Sequence, residues 1–114
     1  MKQVIVMRKD LNMRKGKMVA QGSHASVQAT VKNINKDEVQ KWLSEGMRKI
    51  CVSCKDEKEL LELYQQAVAA GLVCSIIRDA GATEFKGVPT LTCIAIGPAK
   101  DEEVDKITKD LKLL

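Results

Sequence analysis

The run Val4-Ile-Val-Met7 constrains the fold most, because it is apolar at four consecutive positions within the segment from Lys2 to Arg8. In a strand, neighbouring side chains point to opposite faces, so Val4 and Val6 share one face and Ile5 and Met7 the other. A strand apolar on both faces belongs in the middle of a covered sheet. The run meets charge at Arg8 and is too short for a signal peptide or a membrane-crossing helix, so no membrane partner is expected and the expected compartment is the cytoplasm. A chain of 114 residues, 45% hydrophobic and 30% charged, has the size and balance of one globular domain spanning 1–114.

Helical and strand patterns alternate after that first strand. Beyond a loop from Lys9 to Gly16, the residues Ala20, His24, Val27, Val31 and Ile34 step by three and four, which predicts an amphipathic helix buried along that stripe. Asn35 followed by Glu38 has the form of a capping box for a second helix, with Val39, Trp42, Leu43 and Met47 facing inward. A second strand follows at about Arg48 to Cys54. Asp56 with Glu59 then opens a third helix, which Gly71 stops. Leu72 to Ile77 reads as a third strand and Pro89 to Ile96 as a fourth, closed by Gly97-Pro98. Asp101, Glu102 and Glu103 favour the start of a last helix, with Val104, Ile107 and Leu111 on its buried side. The element order is βααβαββα. Strands joined through helices are normally parallel, and strands joined by a loop are normally antiparallel. The expected fold class is therefore α/β, a three-layer α/β/α arrangement around a four-stranded mixed sheet, with strands one to three parallel and strand four antiparallel.

Charge is unevenly placed along the chain. Residues 1–48 hold ten Lys and Arg against four Asp and Glu, whereas residues 49–114 hold nine against eleven. No acid lies between Leu11 and Lys36, so Arg14, Lys15, Lys17, Lys32 and Lys36 are not locally neutralised. Such a front suits a surface that meets phosphates, and it fits a merely solvated basic face as well. The four cysteines, at 51, 54, 74 and 93, lie in strand-like runs. Cys51 and Cys54 are three apart on a strand and point to opposite faces, so one metal ion does not easily take both. No metal site is expected.

The topology gathers three polar segments on one edge of the sheet. They are Lys15-Gly-Lys17 after the first strand, Arg78-Asp-Ala-Gly-Ala-Thr83 after the third, and Pro89-Thr-Leu-Thr92 opening the fourth. Ligands of open α/β sheets usually bind at such an edge. Lys15-Gly-Lys17 also precedes a helix, whose first N–H groups attract anions. It is not a Walker loop, which needs Gly-x-x-x-x-Gly-Lys followed by Ser or Thr.

Four strings, in order, carry a family resemblance. Lys15-Gly-Lys-x-x-Ala-Gln-x-Ser-His-Ala, Arg78-Asp-Ala-Gly-x-Thr, Thr92-x-x-Ala-Ile-Gly-Pro and Asp105-Lys-x-Thr-x-x-Leu-Lys-Leu-Leu together resemble the type 2 peptidyl-tRNA hydrolases of archaea and eukaryotes. The resemblance runs nearly end to end. It implies a cofactor-independent, metal-independent esterase that cuts the bond between a peptide and the tRNA 3′ ribose, with peptidyl-tRNA as partner and a homodimer as assembly. Among the matched positions it implies catalytic roles for Lys17, His24, Asp79, Thr83 and Thr92. Substrate-binding roles fall to Arg14, Lys15, Gln21, Ser23, Arg78 and Thr90. Gly22 stands where the family usually has cysteine, and Ala82 and Glu84 replace a basic residue and a glutamine around Thr83.

These residue types suit the chemistry. Ester hydrolysis needs an activated water, a stabiliser for the tetrahedral oxyanion, and donors that place the acyl group and ribose. Asp79 suits the orientation or deprotonation of water, and equally a carboxylate that caps its own Asp-Ala-Gly turn. Lys17 suits oxyanion stabilisation or a grip on the terminal phosphate, and equally an exposed first-turn lysine. His24 fits a groove shared with Lys17 and Gln21, or a hydrogen-bonded core position. Thr83 and Thr92 offer neutral donors and are also ordinary strand residues. The alternatives to a hydrolase are a non-catalytic tRNA- or RNA-binding module and a phospholigand-binding regulator.

Overall fold

The computed structural model describes residues 1–81 and 85–114. The elements are β1 (Lys2–Arg8), α1 (Lys15–Lys32), α2 (Asp37–Ser44), β2 (Lys49–Cys54), α3 (Glu57–Ala69), β3 (Cys74–Asp79), β4 (Thr90–Ala99) and α4 (Asp101–Thr108). The strands form one mixed sheet in the order β2-β1-β4-β3. β1 pairs parallel with β2, and β4 pairs antiparallel with both β1 and β3. β1, β2 and β3 thus share one direction and β4 opposes them, but the expected parallel pattern is corrected in its pairing, since only β1 and β2 pair in parallel and β4 separates β1 from β3. β4 is ten residues long and buried from Leu91 to Ala99, so its apolar faces are best satisfied in the interior of the sheet beside β1. Cys93 lies opposite both Met7 and Ile77, which brings the ends of β1 and β3 to the edge where β4 begins.

Strand alternation divides the core in two. Val4, Val6, Val52, Ile94 and Ile96 pack against Leu60 and Leu63 of α3 and Val104 of α4. Ile5, Met7, Cys93 and Ala95 pack on the opposite side against Ala25 and Ala29 of α1 and Val39 of α2. Each face of the sheet has its own apolar cover, as the pattern of β1 requires.

The buried side of α1 departs from the expected stripe. Gln21, Gly22, Ala25 and Ala29 face the sheet, while Val27 and Val31 are 60% and 62% exposed and Ala20 and His24 also lie outside. Small residues win this position because they let the helix backbone approach the sheet closely, and branched valines would hold it away. α2 also differs at its start. Lys36 is its N-cap and makes no side-chain cap, so the expected Asn35 box does not form, and Asp37 and Glu38 favour the helix dipole instead. α3 begins as read from sequence. The Asp56 carboxylate accepts the Glu59 N–H at 2.9 Å, and Glu59 accepts the Lys55 N–H at 2.8 Å.

The later strand ends shift as well. β3 extends to Asp79 rather than ending at Ile77, and β4 runs through Gly97-Pro98 to Ala99 rather than closing there. Gly97 has φ of +98°, and a Cβ at this position would strike the Lys2 carbonyl, so the irregular pairing of β1 with β4 here needs glycine. At the other side of the sheet, the C-terminal segment covers the outer edge of β2. Ser53 donates to the Lys112 carbonyl at 2.9 Å and Leu114 to the Cys51 carbonyl at 3.1 Å. Among the described residues, no helix is long and apolar enough to cross a membrane.

Candidate active site

Lys17 is the third residue of α1, so its side chain rises from the first turn beside the end of β3. There its ammonium donates to Asp79 Oδ1 at 2.8 Å. The Lys17 and Asp79 side chains are 13% and 14% exposed, so the pair is shielded yet still open to a reactant. Gln21, one helical turn after Lys17, donates its Nε2–H to the same Oδ1 at 3.3 Å. The backbone N–H of Gly81 donates to Oδ2 at 2.8 Å, which makes the Asp-Ala-Gly turn read from the sequence. Asp79 thus caps its own turn, as one of its two readings expected, and it also pairs with Lys17.

These donors control the charge on Asp79. The Lys17 bond, above all, holds the carboxyl below its usual range against the desolvation that opposes it, with help from Gly81 and Gln21. A carboxylate stabilised in this way stays ionised at neutral pH and is a weak base. Lys17 also lies 5.7 Å from the centre of the Phe85 ring, which favours a cation at this position. The contact to Phe85 was not read from the sequence, although a lone phenylalanine in a polar segment was the available signal.

Thr92 enters from β4 behind this pair. It is fully buried, and its hydroxyl donates to Gln21 Oε1 at 2.6 Å. The Cys93 thiol donates to the Gln21 carbonyl at 3.3 Å, and burial pushes its pKa up to about 12. Cys93 is thus a neutral thiol that braces the helix. Cys54 is likewise pushed up to about 11 by burial. Cys51 is exposed. Among the described residues, no group of three His, Cys, Asp or Glu side chains is arranged to hold a metal ion.

The remaining sequence candidates fall around this centre. Arg14 is the N-cap of α1 and Lys15 its first residue, both exposed at the basic helix start. The Ser23 hydroxyl donates to the Val19 carbonyl of its own helix at 2.7 Å. Thr90 lies opposite Asp79 in the sheet and donates to the Val88 carbonyl at 2.8 Å. His24 does not share a groove with Lys17 and Gln21, contrary to expectation. Seven residues carry it about 10 Å along the helix axis from Lys17. It lies exposed instead in a groove with Ile76 and Arg78 of β3. Thr83, with Ala82 and Glu84, lies outside the described residues.

The chain also matches known proteins along its length. A family model described as "Peptidyl-tRNA hydrolase PTH2" matches residues 1–114. The chain is 54% identical over 116 residues to a peptidyl-tRNA hydrolase of Methanocaldococcus jannaschii, covering 100% of both. It is 48% identical over 114 residues to one from Methanothermobacter thermautotrophicus, again over 100% of both. With one from Methanopyrus kandleri the identity is 46% over 114 residues, covering 99% of this chain and 97% of the other.

Proposed function

Because the chain belongs to the peptidyl-tRNA hydrolase PTH2 family, we propose that it hydrolyses the ester between a peptide and the 3′ ribose of tRNA at the Lys17–Asp79 pair. The observation that carries this reading is the 2.8 Å ion pair itself, which two further donors, Gln21 and Gly81, hold in place. One hydrolase domain spanning 1–114 carries out the reaction.

Water attacks the ester carbonyl, the carbonyl oxygen becomes an oxyanion, and the oxyanion then collapses as the C–O bond to the 3′ oxygen breaks, the 3′ oxygen leaving with the proton that the water gives up. The Lys17 ammonium supplies positive charge for the oxyanion, a form of stabilisation that acts as charge develops. A carboxylate offers about four acceptor positions, and among the described residues Asp79 uses three, which leaves room for a water O–H. Its lowered pKa favours orienting that water over holding its proton. Gln21 and Thr92 keep Asp79 in register. Buried Thr92 acts through Gln21 and is a positioning residue in this scheme.

Arg14 and Lys15 lie at the start of α1, where free N–H groups and two cations suit the tRNA backbone. Arg78 adds charge on the β3 side. Thr83 is carried as a catalytic residue on the resemblance alone, and Ser23 and Thr90 as substrate-binding residues. His24 is carried in the same way, with a role along the groove rather than at the ion pair. No cofactor is assigned, and chelation is expected to leave the rate unchanged. A substrate that arises in translation supports a cytoplasmic location. A homodimer is proposed through the other flank of α1, where Val19 and Leu114 are 69% and 52% exposed, and light scattering tests it.

The direct experiment is release of peptide from peptidyl-tRNA by the native chain, beside Asp79→Asn and Lys17→Ala. Turnover by the native chain that both variants lack is the expected result. Equal rates in all three would remove the pair from the mechanism.

A further inference from the structure

The sheet has two edges, and among the described residues backbone hydrogen bonds cover only one of them. Lys112 and Leu114 bond to β2, as described above. The opposite edge is β3, and among the described residues no backbone hydrogen bond from outside the sheet reaches Cys74–Asp79. An uncovered edge strand is a template for another extended chain. Beside it runs a groove of about 580 Å³ between β3 and α1. Val27, Val31 and Ile76 make it largely apolar, with Lys32 and Arg78 at its rim and no acid among its lining residues.

We infer that this groove takes the peptide part of the substrate, laid as an extended strand parallel to β3 with its C-terminal ester at Asp79. The inference rests on the hydrolase reading above, and three observations support it. First, β3 ends on Asp79, so the open edge leads directly to the ion pair. Second, the scissile ester is at the peptide's C-terminus, and a peptide running in the direction of β3 delivers that end to Asp79. Third, the peptides on tRNA have every sequence, and edge pairing recognises the main chain that all of them share. The exposed valines of α1 offer a shallow wall that accepts varied side chains. Single-stranded RNA is the less suited occupant, because such sites stack successive bases on a series of aromatic rings and the lining holds no Phe, Tyr or Trp and a single imidazole, that of His24.

Length sets the scale of the effect. Six residues of β3 span roughly 20 Å at about 3.3 Å each, so an extended peptide of about six residues fills the edge. The test uses tRNAs carrying one N-acetylated amino acid or progressively longer peptides. With the native chain, kcat/KM is expected to rise with length, mainly through KM, and to level off near about six residues. Methylation of the peptide's backbone nitrogens is expected to lower kcat/KM for long substrates. Val27→Trp, at an exposed position, is expected to lower kcat/KM for long peptides about tenfold more than for the single-residue substrate. Val68→Trp, exposed on α3, serves as the control and is expected to change neither.

Failure of the native chain to hydrolyse any substrate would sink the hydrolase reading and the groove with it. Hydrolysis that is independent of peptide length would overturn the groove assignment alone. Equal slowing of all lengths by Val27→Trp would overturn it too, in favour of the tRNA 3′ end in the groove. No effect of backbone methylation would remove the strand pairing.

Discussion

The Thr92 hydroxyl donates a 2.6 Å hydrogen bond to Gln21 Oε1, and this bond turns the Gln21 amide so that its N–H side meets Asp79. A buried residue of β4 thereby sets the orientation of a carboxylate on β3 through a side chain of α1. Thr92→Val keeps the shape and removes the donor. It leaves Gln21 Oε1 without this partner, at an expected stability cost of about 1–3 kcal/mol. Denaturant unfolding checks that cost. The kcat for peptidyl-tRNA is expected to fall while KM changes little, and Thr92→Ser is expected to restore both. A valine variant with native kcat would separate Thr92 from the site.

Asp79→Asn removes the charge and keeps the outline. The expected loss is ~10²–10⁴-fold in kcat/KM, the range for a group that handles the attacking water. Lys17→Ala is expected to cost ~10²–10³-fold, as for one lost oxyanion donor. The double variant is expected to be little worse than the more damaged single variant, since the two groups work as one unit. Steady-state kinetics on one peptidyl-tRNA decides this, and losses that multiply would mean the two act independently.

Acid should act on this pair in a defined direction. The Lys17 bond holds Asp79 below its ordinary 3.8, and the Arg8 side chain holds Asp10 below the same value. A carboxylate with a depressed folded pKa contributes stability that is present above the unfolded pKa and is lost as pH falls through the folded one. Tm is therefore expected to be level from neutral pH to about 5 and to drop below about 4. In Lys17→Ala the drop is expected to be shallower, because Asp79 then titrates nearer its ordinary value. An equally steep drop in that variant would show that the pair adds no acid-sensitive stability.

Gly22 is open to improvement. A Cβ there would lie 3.7 Å from Ile5 and Met7, which is ordinary contact, and the residue sits inside α1 where glycine is unfavourable. Gly22→Ala is expected to raise stability by up to about 1 kcal/mol without loss of activity. Thermal unfolding with an activity assay checks both parts. A lower Tm would mean that α1 must approach the sheet more closely than this contact distance implies.

Local features were legible in the sequence because local physics decides them. β1 declared itself by apolar residues on both faces, and the Asp56–Glu59 cap announced α3 through hydrogen bonds that span only a few residues. Lys17 and Asp79, which are 62 positions apart, could be brought to one sheet edge by topology, and the structure joins them at 2.8 Å. The same reasoning misplaced His24, because a helical wheel reports angle and ignores distance along the axis.

By itself, the sequence determined the α/β class, the two-faced central strand, and the polar segments that meet at one end of the sheet. Tertiary structure alone decided which side of α1 is buried. Hydrophobic periodicity favoured the valines, yet close packing against β1 and β4 selected Gly22, Ala25 and Ala29 and left Val27 and Val31 outside. It also decided that β4 lies between β1 and β3, since strand order depends on burying whole faces and is not encoded in any single segment. The free edge of β3, the groove beside it and the Thr92–Gln21–Asp79 relay follow from those two decisions.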